Sequence, residues 1–367
     1  MLRTSIVLII ATILACTAKR FHVDDEKIHR ATFKQYKEKF GKSYAMHEEE
    51  AKFRVFESNL KTIDERNARE LAAGGEECHG LTGFLDMTQE EFNRRNTLRF
   101  PEDKVKRHKV PNDKLSIEAR RQLTKLNAEG DTVMRTNWIG KLTTPIKNQE
   151  QCGSCWAFAA TSQLESMVMK EHGMKLVLSP AQLAQCTLGF GCDGGIPEYG
   201  LMTVAAIGGL SLDEQYPYDG ELSAGTTGTC QTDKISPVVT VGNVININTN
   251  ESDSSAAWVA SVEKEMAAYV LGHAPLAIYV DASAWNTYTG GIMSAEVCGN
   301  DVDHAVQIVG INLEAEVPYW VIRNSWADGF GEAGYIRVRY GDNACDLTLS
   351  PMTVNAELAD ITAAFEL

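Results

Sequence analysis

The sequence predicts an α+β protein of two lobes, standing behind a separate helical segment. Three observations predict it. Residues 22–99 carry apolar residues at helical spacing: Phe33, Tyr36 and Phe40 in one run, Phe53, Phe56, Leu60 and Ile63 in another. From about residue 131 glycine, aromatics and cysteines become dense, as in a compact disulfide-bonded domain. Within that part a helical stretch comes first and alternating segments follow at 276–280, 304–311, 318–324 and 334–340, the order of an α+β arrangement.

In chain order, the N-terminus opens on Met1, Leu2 and Arg3, then the apolar run Ile6 to Cys16 and small residues up to Ala18. One positive charge, a short apolar core and a small residue at the cut predict a signal peptide over 1–18. The run is too short to cross a bilayer, and no other segment is apolar enough to span one. The mature chain is therefore expected in an oxidising compartment, where its cysteines form disulfides. After the helical segment, residues from about 101 to 130 hold Pro101, Pro111 and the basic cluster Lys104, Lys106, Arg107, His108 and Lys109. They read as an exposed linker with room for a short helix at 115–128. Residues 1–130 carry 25 Lys and Arg against 21 Asp and Glu; residues 131–367 carry 10 against 28. A basic front part is expected to dock on an acidic body, and the acidic body argues against nucleic acid as a partner.

Ser154 to His172 reads as a helix with a buried stripe of Ala157, Ala160, Leu164, Met167 and Val168, stopped at Gly173. Cys155 lies in its first turn, where the helix dipole favours a thiolate. Gly153 and Ser154 give the tight turn that exposes the thiol, and Gln149, six residues upstream, offers an amide for an oxyanion. A nucleophilic thiolate needs a base. After residue 130 the histidines are His172, His273 and His304. His172 ends the helix that Cys155 begins, roughly 25 Å away at ~1.5 Å per residue, which excludes it. His273 sits in a turn and reads as a surface histidine. His304 opens an apolar strand, and a hairpin centred near 312–317 sets it opposite 324 or 325, within about 5 Å. Asn324 can then orient the imidazole, the part an Asp plays in serine enzymes, and Trp326 can cover the bond from water.

Five stretches extend this pattern. They are Gln149 with Cys152-Gly-Ser-Cys155-Trp156, then Gly191-Cys-Asp-Gly-Gly195, Asp303-His304-Ala305-Val306, Asn324-Ser-Trp326 and Gly334-Tyr-Ile336. Upstream, Glu48, Lys52, Phe56, Asn59, Ile63 and Asn67 fall on one helix, followed by Gly80 to Asp86 and Phe92. In these residues the chain resembles the papain family of cysteine proteases, nearest its cathepsin L-like branch, over almost the whole precursor. The resemblance implies a two-lobed papain-like fold, with a helical lobe, a β-barrel-like lobe and the active-site cleft between them. A helical inhibitory propeptide would occupy 19–130 and a peptidase domain 131–367. It implies Cys155 as nucleophile, His304 as its partner, Asn324 as orienter, and Gln149 with the Cys155 backbone N–H as oxyanion donors. Gly194 and Gly195 would bind substrate backbone. Ile196, Pro197, Tyr279, Ala305 and Ser350 would line the main specificity pocket, apolar, narrowed by Tyr279 and without an acid at its base.

Cysteine count alone allows fifteen pairings of the six remaining cysteines after residue 131. The resemblance implies Cys152–Cys192, Cys186–Cys230 and Cys298–Cys345, leaving Cys78 unpaired in the propeptide. Departures from the family pattern are Glu150 for a glycine, Ala327 for a glycine, Phe330 for a tryptophan, and Lys52 for an arginine. Residues 352–367 extend past the family's usual end, with Ala356–Leu367 expected as a short amphipathic helix or a loose tail. Other readings fare worse. A redox motif at Cys152 and Cys155 normally has its tryptophan before the motif. A zinc site of Cys152, Cys155, Cys186 and Cys192 lacks compact paired spacing. An inactive homologue acting as a binding protein conflicts with four intact catalytic positions. The implied partners are protein or peptide substrates, the chain's own propeptide and cystatin-like inhibitors, on a monomer that needs no cofactor or metal. The expected setting is the secretory pathway, ending in lysosome or endosome or outside the cell, with Asn250 to Ser252 as a glycosylation sequon. Activation in acid is expected, and no cleft-blocking insertion appears near Cys186 to Cys192, which favours an endopeptidase.

Overall fold

The computed structural model describes residues 20–99, 134–187, 191–248 and 253–359. The signal-peptide segment, the 101–130 linker, the 250–252 sequon and the chain after 359 lie outside the described residues.

The front segment forms α1 (Glu26–Phe40), α2 (Glu49–Ala72) and the short α3 (Gln89–Asn93). Asp25 caps α1 by accepting from the Lys27 N–H, and Gly41 ends it in the left-handed region. Thr88 and Glu91 form a reciprocal capping box on α3. Phe33, Tyr36, Phe53, Phe56, Leu60, Ile63 and Leu85 close into a cluster of their own, as the helical spacing predicts. The return chain 79–87 is latched along α2. Asn67 exchanges two hydrogen bonds with the His79 backbone, and Asn59 Nδ2 donates to the Leu85 and Met87 carbonyls. Lys52 pairs with Glu91 at 3.0 Å, so the lysine serves at that point of the series. Asp86 accepts from Tyr36, Tyr44 and Lys42. The segment is not wholly autonomous, because Cys78 and Phe92 are buried in the core of the main body.

The body contains β1 (Arg135–Asn137), α4 (Cys155–His172), α5 (Pro180–Cys186), α6 (Pro197–Ala206), β2 (Val239–Asn246) and α7 (Ala256–Gly272). It continues with β3 (Leu276–Val280), β4 (Ile292–Met293), β5 (His304–Asn312), β6 (Tyr319–Arg323), β7 (Tyr335–Arg339) and β8 (Met352–Leu358). The strands run in the order β2-β8-β3-β5-β6-β7-β4, with β1 on β5. The barrel-like expectation needs correction, since the ends of this order, β2 and β4, do not pair and the sheet is not closed. The strands match their expected spans closely, but Ala356 to Leu358 belong to β8 rather than to a helical tail.

The single buried stripe expected on the central helix is also corrected. Every residue of α4 from Cys155 to Val168 is buried. The helix is wedged between α5 and α6 on one side and β3, β5 and β8 on the other. A helix buried all round is mostly apolar or small, as Ala157, Ala159, Ala160, Ser162 and Ser166 are, and its two larger polar residues are paired, Gln163 with the Pro275 carbonyl and Thr353, and Glu165 with Thr144 and Lys147. For the same reason β5 is buried from His304 to Ile311, with α4 and α7 packed against it. Three disulfides, Cys152–Cys192, Cys186–Cys230 and Cys298–Cys345, pin the loops around this core.

Candidate active site

Cys155 begins α4 behind Ser154, and His304 begins β5, so the two side chains enter from opposite sides of the seam between helices and sheet. Both are fully buried beneath the front segment. The backbone N–H groups of Ala305, Trp156 and Thr97 approach the Cys155 thiol. Ala305 is the neighbour of His304, and Thr97 belongs to the front segment. His172, at the far end of α4, bonds the Ala356 carbonyl instead. His273 is half-buried at the end of α7, against Tyr269, rather than at the surface.

His304 Nε2 donates to Asn324 Oδ1 at 2.8 Å. Asn324 Oδ1 also accepts from the Ser325 N–H, which fixes the amide orientation. An acceptor at Nε2 fixes the tautomer, leaving Nδ1 as the basic nitrogen; it is buried and bonds no other described residue. The expected register is off by one or two residues. A bulge between Ile308 and Gly310 sets Gln307 opposite Arg323, and carried onward this brings position 304 level with 326. The indole of Trp326 therefore stacks on the imidazole, centroids 4.8 Å apart, while Asn324 reaches it from the strand end. Trp285, which no motif signals, stands edge-on to His304 at 6.0 Å and completes an apolar wall with Trp326 and Phe330.

Gln149 is fully buried. Its Oε1 accepts from Ser325 Oγ at 2.6 Å, and that bond aims Nε2 at the Cys152 carbonyl and at the Arg95 carbonyl, 2.8 Å away. Ser325 is a second residue that sequence reasoning missed, although its neighbour Asn324 was named. Glu150 and Ala327, where the family pattern has glycine, have φ of 53° and 62°. Asn148 bonds Glu150 at both the backbone N–H and the carboxylate, which helps hold that backbone.

The front segment fills the cleft. Leu98 pairs with Gly195 as a parallel bridge, and the Arg99 N–H donates to the Gly195 carbonyl. A Cβ on Gly194 would stand 2.5 Å from the Thr97 carbonyl oxygen, and one on Gly195 would stand 2.8 Å from the Trp156 ring. Phe84 and Phe92 pack edge-on against Trp326. Arg66 docks the segment from α2, donating to Asn286 Oδ1 at 2.5 Å, to Thr287 Oγ1 at 2.7 Å and to the Ala284 and Ser283 carbonyls.

Burial sets the electrostatics of this covered state. It pushes the Cys155 thiol up to about 12, with the Asp303 charge adding to it against the three N–H groups. It pushes His304 down to about 4; the Asn324 bond opposes this and the Arg95 guanidinium adds to it. Asp303, beside His304, is raised to about 7 by burial and by the charges of Asp281 and Asp301. Thiol and imidazole are therefore both neutral while the cleft is covered.

The expected pocket residues come together. Tyr279 pairs with Ala305 across β3 and β5, and Ile196 and Pro197 open α6. Tyr279 and Ser350 both bond Glu198, so the expectation of a pocket without an acid is corrected. Glu198 lies one residue beyond the positions read from the sequence.

Residues 133–354 match the papain family cysteine protease model, and residues 33–92 match the cathepsin propeptide inhibitor domain. Cysteine proteinase B of Leishmania mexicana is 32% identical over 359 residues, covering 96% of this chain and 74% of that protein. Cysteine proteinase 15A of Pisum sativum is 31% identical over 91% of this chain and 90% of its own length. Among solved structures, digestive procathepsin L2 from the larval midgut of Tenebrio molitor superposes with a TM-score of 0.71 at 27% identity, covering 89% of this chain and 99% of that one. The proform of the ragweed pollen allergen Amb a 11, a cysteine protease, gives 0.71 at 26% identity over 90% and 86%.

Proposed function

Because the chain belongs to the papain family of cysteine proteases and carries its propeptide inhibitor domain in front, we propose that Cys155 is the nucleophile, His304 its acid-base partner and Asn324 the residue that orients it. The observation that carries this reading is the 2.8 Å bond from His304 Nε2 to Asn324 Oδ1. It leaves Nδ1 to take the thiol proton on the strand whose next N–H reaches Cys155. With the propeptide gone, water re-enters, the burial cost on both charged forms falls, and the proton moves from sulfur to Nδ1.

The thiolate attacks the scissile carbonyl carbon, and the oxyanion is held by Gln149 Nε2 and the Cys155 N–H. The imidazolium then protonates the leaving amine. Water, deprotonated by His304, releases the acyl group and restores the thiol. Gly194 and Gly195 present bare backbone to the substrate. Ile196, Pro197, Tyr279, Ala305 and Ser350 surround the side chain seated at Gly195.

The protein is a zymogen, and its propeptide inhibits it intramolecularly. Among the described residues no helix is long and apolar enough to cross a membrane. We place the signal cut after residue 18 and the peptidase boundary near 130. Endopeptidase action is supported by the sequence near Cys186 to Cys192, which resembles no cleft-blocking insertion. Acid activation, a lysosomal or extracellular destination, a monomeric mature form and inhibition by cystatin-like proteins belong to the same reading. The test is to incubate the purified precursor at pH 4.5 with a reductant, sequence the new N-terminus and profile cleavage of a peptide library. The expected result is a new N-terminus between residues 99 and 134 and internal peptide cleavage. No maturation, or cleavage only at peptide ends, refutes it.

A further inference from the structure

Glu198 sits in the first turn of α6, two residues after Ile196. Its Oε2 accepts a hydrogen bond from Tyr279 Oη, and its Oε1 accepts one from Ser350 Oγ at 2.8 Å. Asn246 Nδ2 in turn donates to Ser350 Oγ at 2.7 Å. Tyr279 and Ser350 are buried, and Glu198 is half-buried. One carboxylate thus joins the helical side of the cleft to two residues on the sheet side. Two hydroxyls held on one carboxyl group, both from buried residues, make this clamp a firm wall rather than a loose surface.

A wall of this kind limits depth. A substrate side chain that needs the clamp's space must break both hydroxyl bonds and leave a carboxylate poorly solvated. A guanidinium entering the pocket must compete with hydroxyls that already occupy both oxygens. The chain's own occupant of the neighbouring backbone position is Leu98, paired with Gly195 and packed half-buried against the core that contains Tyr279 and Ala305.

Resting on the assignment of Cys155 and Gly195 above, we propose that Glu198 is a specificity-determining residue: by clamping Tyr279 and Ser350 it closes the deep end of the pocket and selects leucine or valine over phenylalanine and arginine.

The test uses the matured protein and four fluorogenic peptides that differ only at that position, carrying Leu, Val, Phe or Arg. The wild type is expected to favour Leu or Val over Phe and Arg by about ten-fold or more in kcat/KM. In Glu198→Ala the Phe-to-Leu ratio is expected to rise about ten-fold, with a smaller rise in Tyr279→Phe, which removes one arm and keeps the ring. A merely structural loss would lower all four substrates together and leave the ratio fixed. Should Glu198→Ala not fold, Glu198→Gln and Tyr279→Phe carry the comparison. A wild-type preference for Arg or Phe, or unchanged ratios in the variants, overturns the clamp. Absence of cleavage of all four peptides by the wild type overturns the catalytic assignment and the clamp with it, which distinguishes the two failures.

Discussion

The side-chain amide of Gln149 donates to the backbone carbonyl of Arg95, 2.8 Å away. The amide assigned to the oxyanion is thereby occupied by a carbonyl of the propeptide, and Ser325 holds it in the aim required. On the proposed assignment, inhibition and catalysis draw on the same donor. Gln149→Ala in the matured enzyme is expected to lower kcat by about 10²–10³-fold with KM little changed, as for loss of one oxyanion donor. Steady-state kinetics on a single peptide checks it; a loss seen in KM alone would remove Gln149 from that role.

The two cysteines three residues apart have separate fates. Cys155→Ser should abolish peptide hydrolysis and self-processing while leaving the precursor folded. Cys152→Ser breaks the bond to Cys192 and should cost about 2–5 kcal/mol of stability. Thermal melts and peptide assays on both purified variants decide. Undiminished proteolysis by Cys155→Ser would end the assignment.

Arg66 is buried at the interface and supplies bonds to Asn286, Thr287 and two carbonyls. Arg66→Ala strands those acceptors. Inhibition by the propeptide should weaken by about 1.5–3 kcal/mol, the range for losing hydrogen bonds to a charged group. The readout is the processing rate at pH 7, which should rise well above that of the wild type.

Docking should weaken in acid through His79. Burial in the docked state pulls this histidine below its ordinary range; the Glu70 bond opposes this, and the Arg66 and Arg69 charges add to it. The docked state thus holds His79 neutral, while the released segment protonates it near ~6.5. Its contribution is present above that pH and is lost as pH falls below it. Propeptide release should accelerate from pH 7.5 to 4.5, and His79→Gln should flatten that dependence. Asp303 acts oppositely on the body: its raised value, about 7, favours the fold in acid and is lost as pH rises through 7. Equal release rates at pH 4.5 and 7.5 would refute acid triggering.

Ala327 holds a left-handed backbone, φ 62°, that glycine adopts without cost. Ala327→Gly is expected to stabilise the protein by about 0.5–1 kcal/mol, and denaturant melts measure it.

The amino-acid sequence alone carries the helices of the propeptide, the central helix with its stop at Gly173 and four strands, and it singles out Cys155, His304, Asn324 and Gln149 as the candidates for the site. Those signals are local or periodic: a spacing of aromatics, a glycine stop, a thiol at a helix start, a histidine heading an apolar strand. Tertiary structure decided what depends on residues far apart in the chain. The hairpin turns about a later centre than the sequence pattern predicts, so Trp326, not Asn324, comes level with His304 even though the bulge near Val309 moves the ladder one residue back toward Asn324. Packing brought Trp285 to the imidazole, Ser325 to Gln149, and Glu198 to Tyr279 and Ser350 across 81 and 152 residues. No periodicity encodes such meetings, since they follow from how two surfaces close on each other, and it is there that the partners of Gln149 and of Glu198 were set.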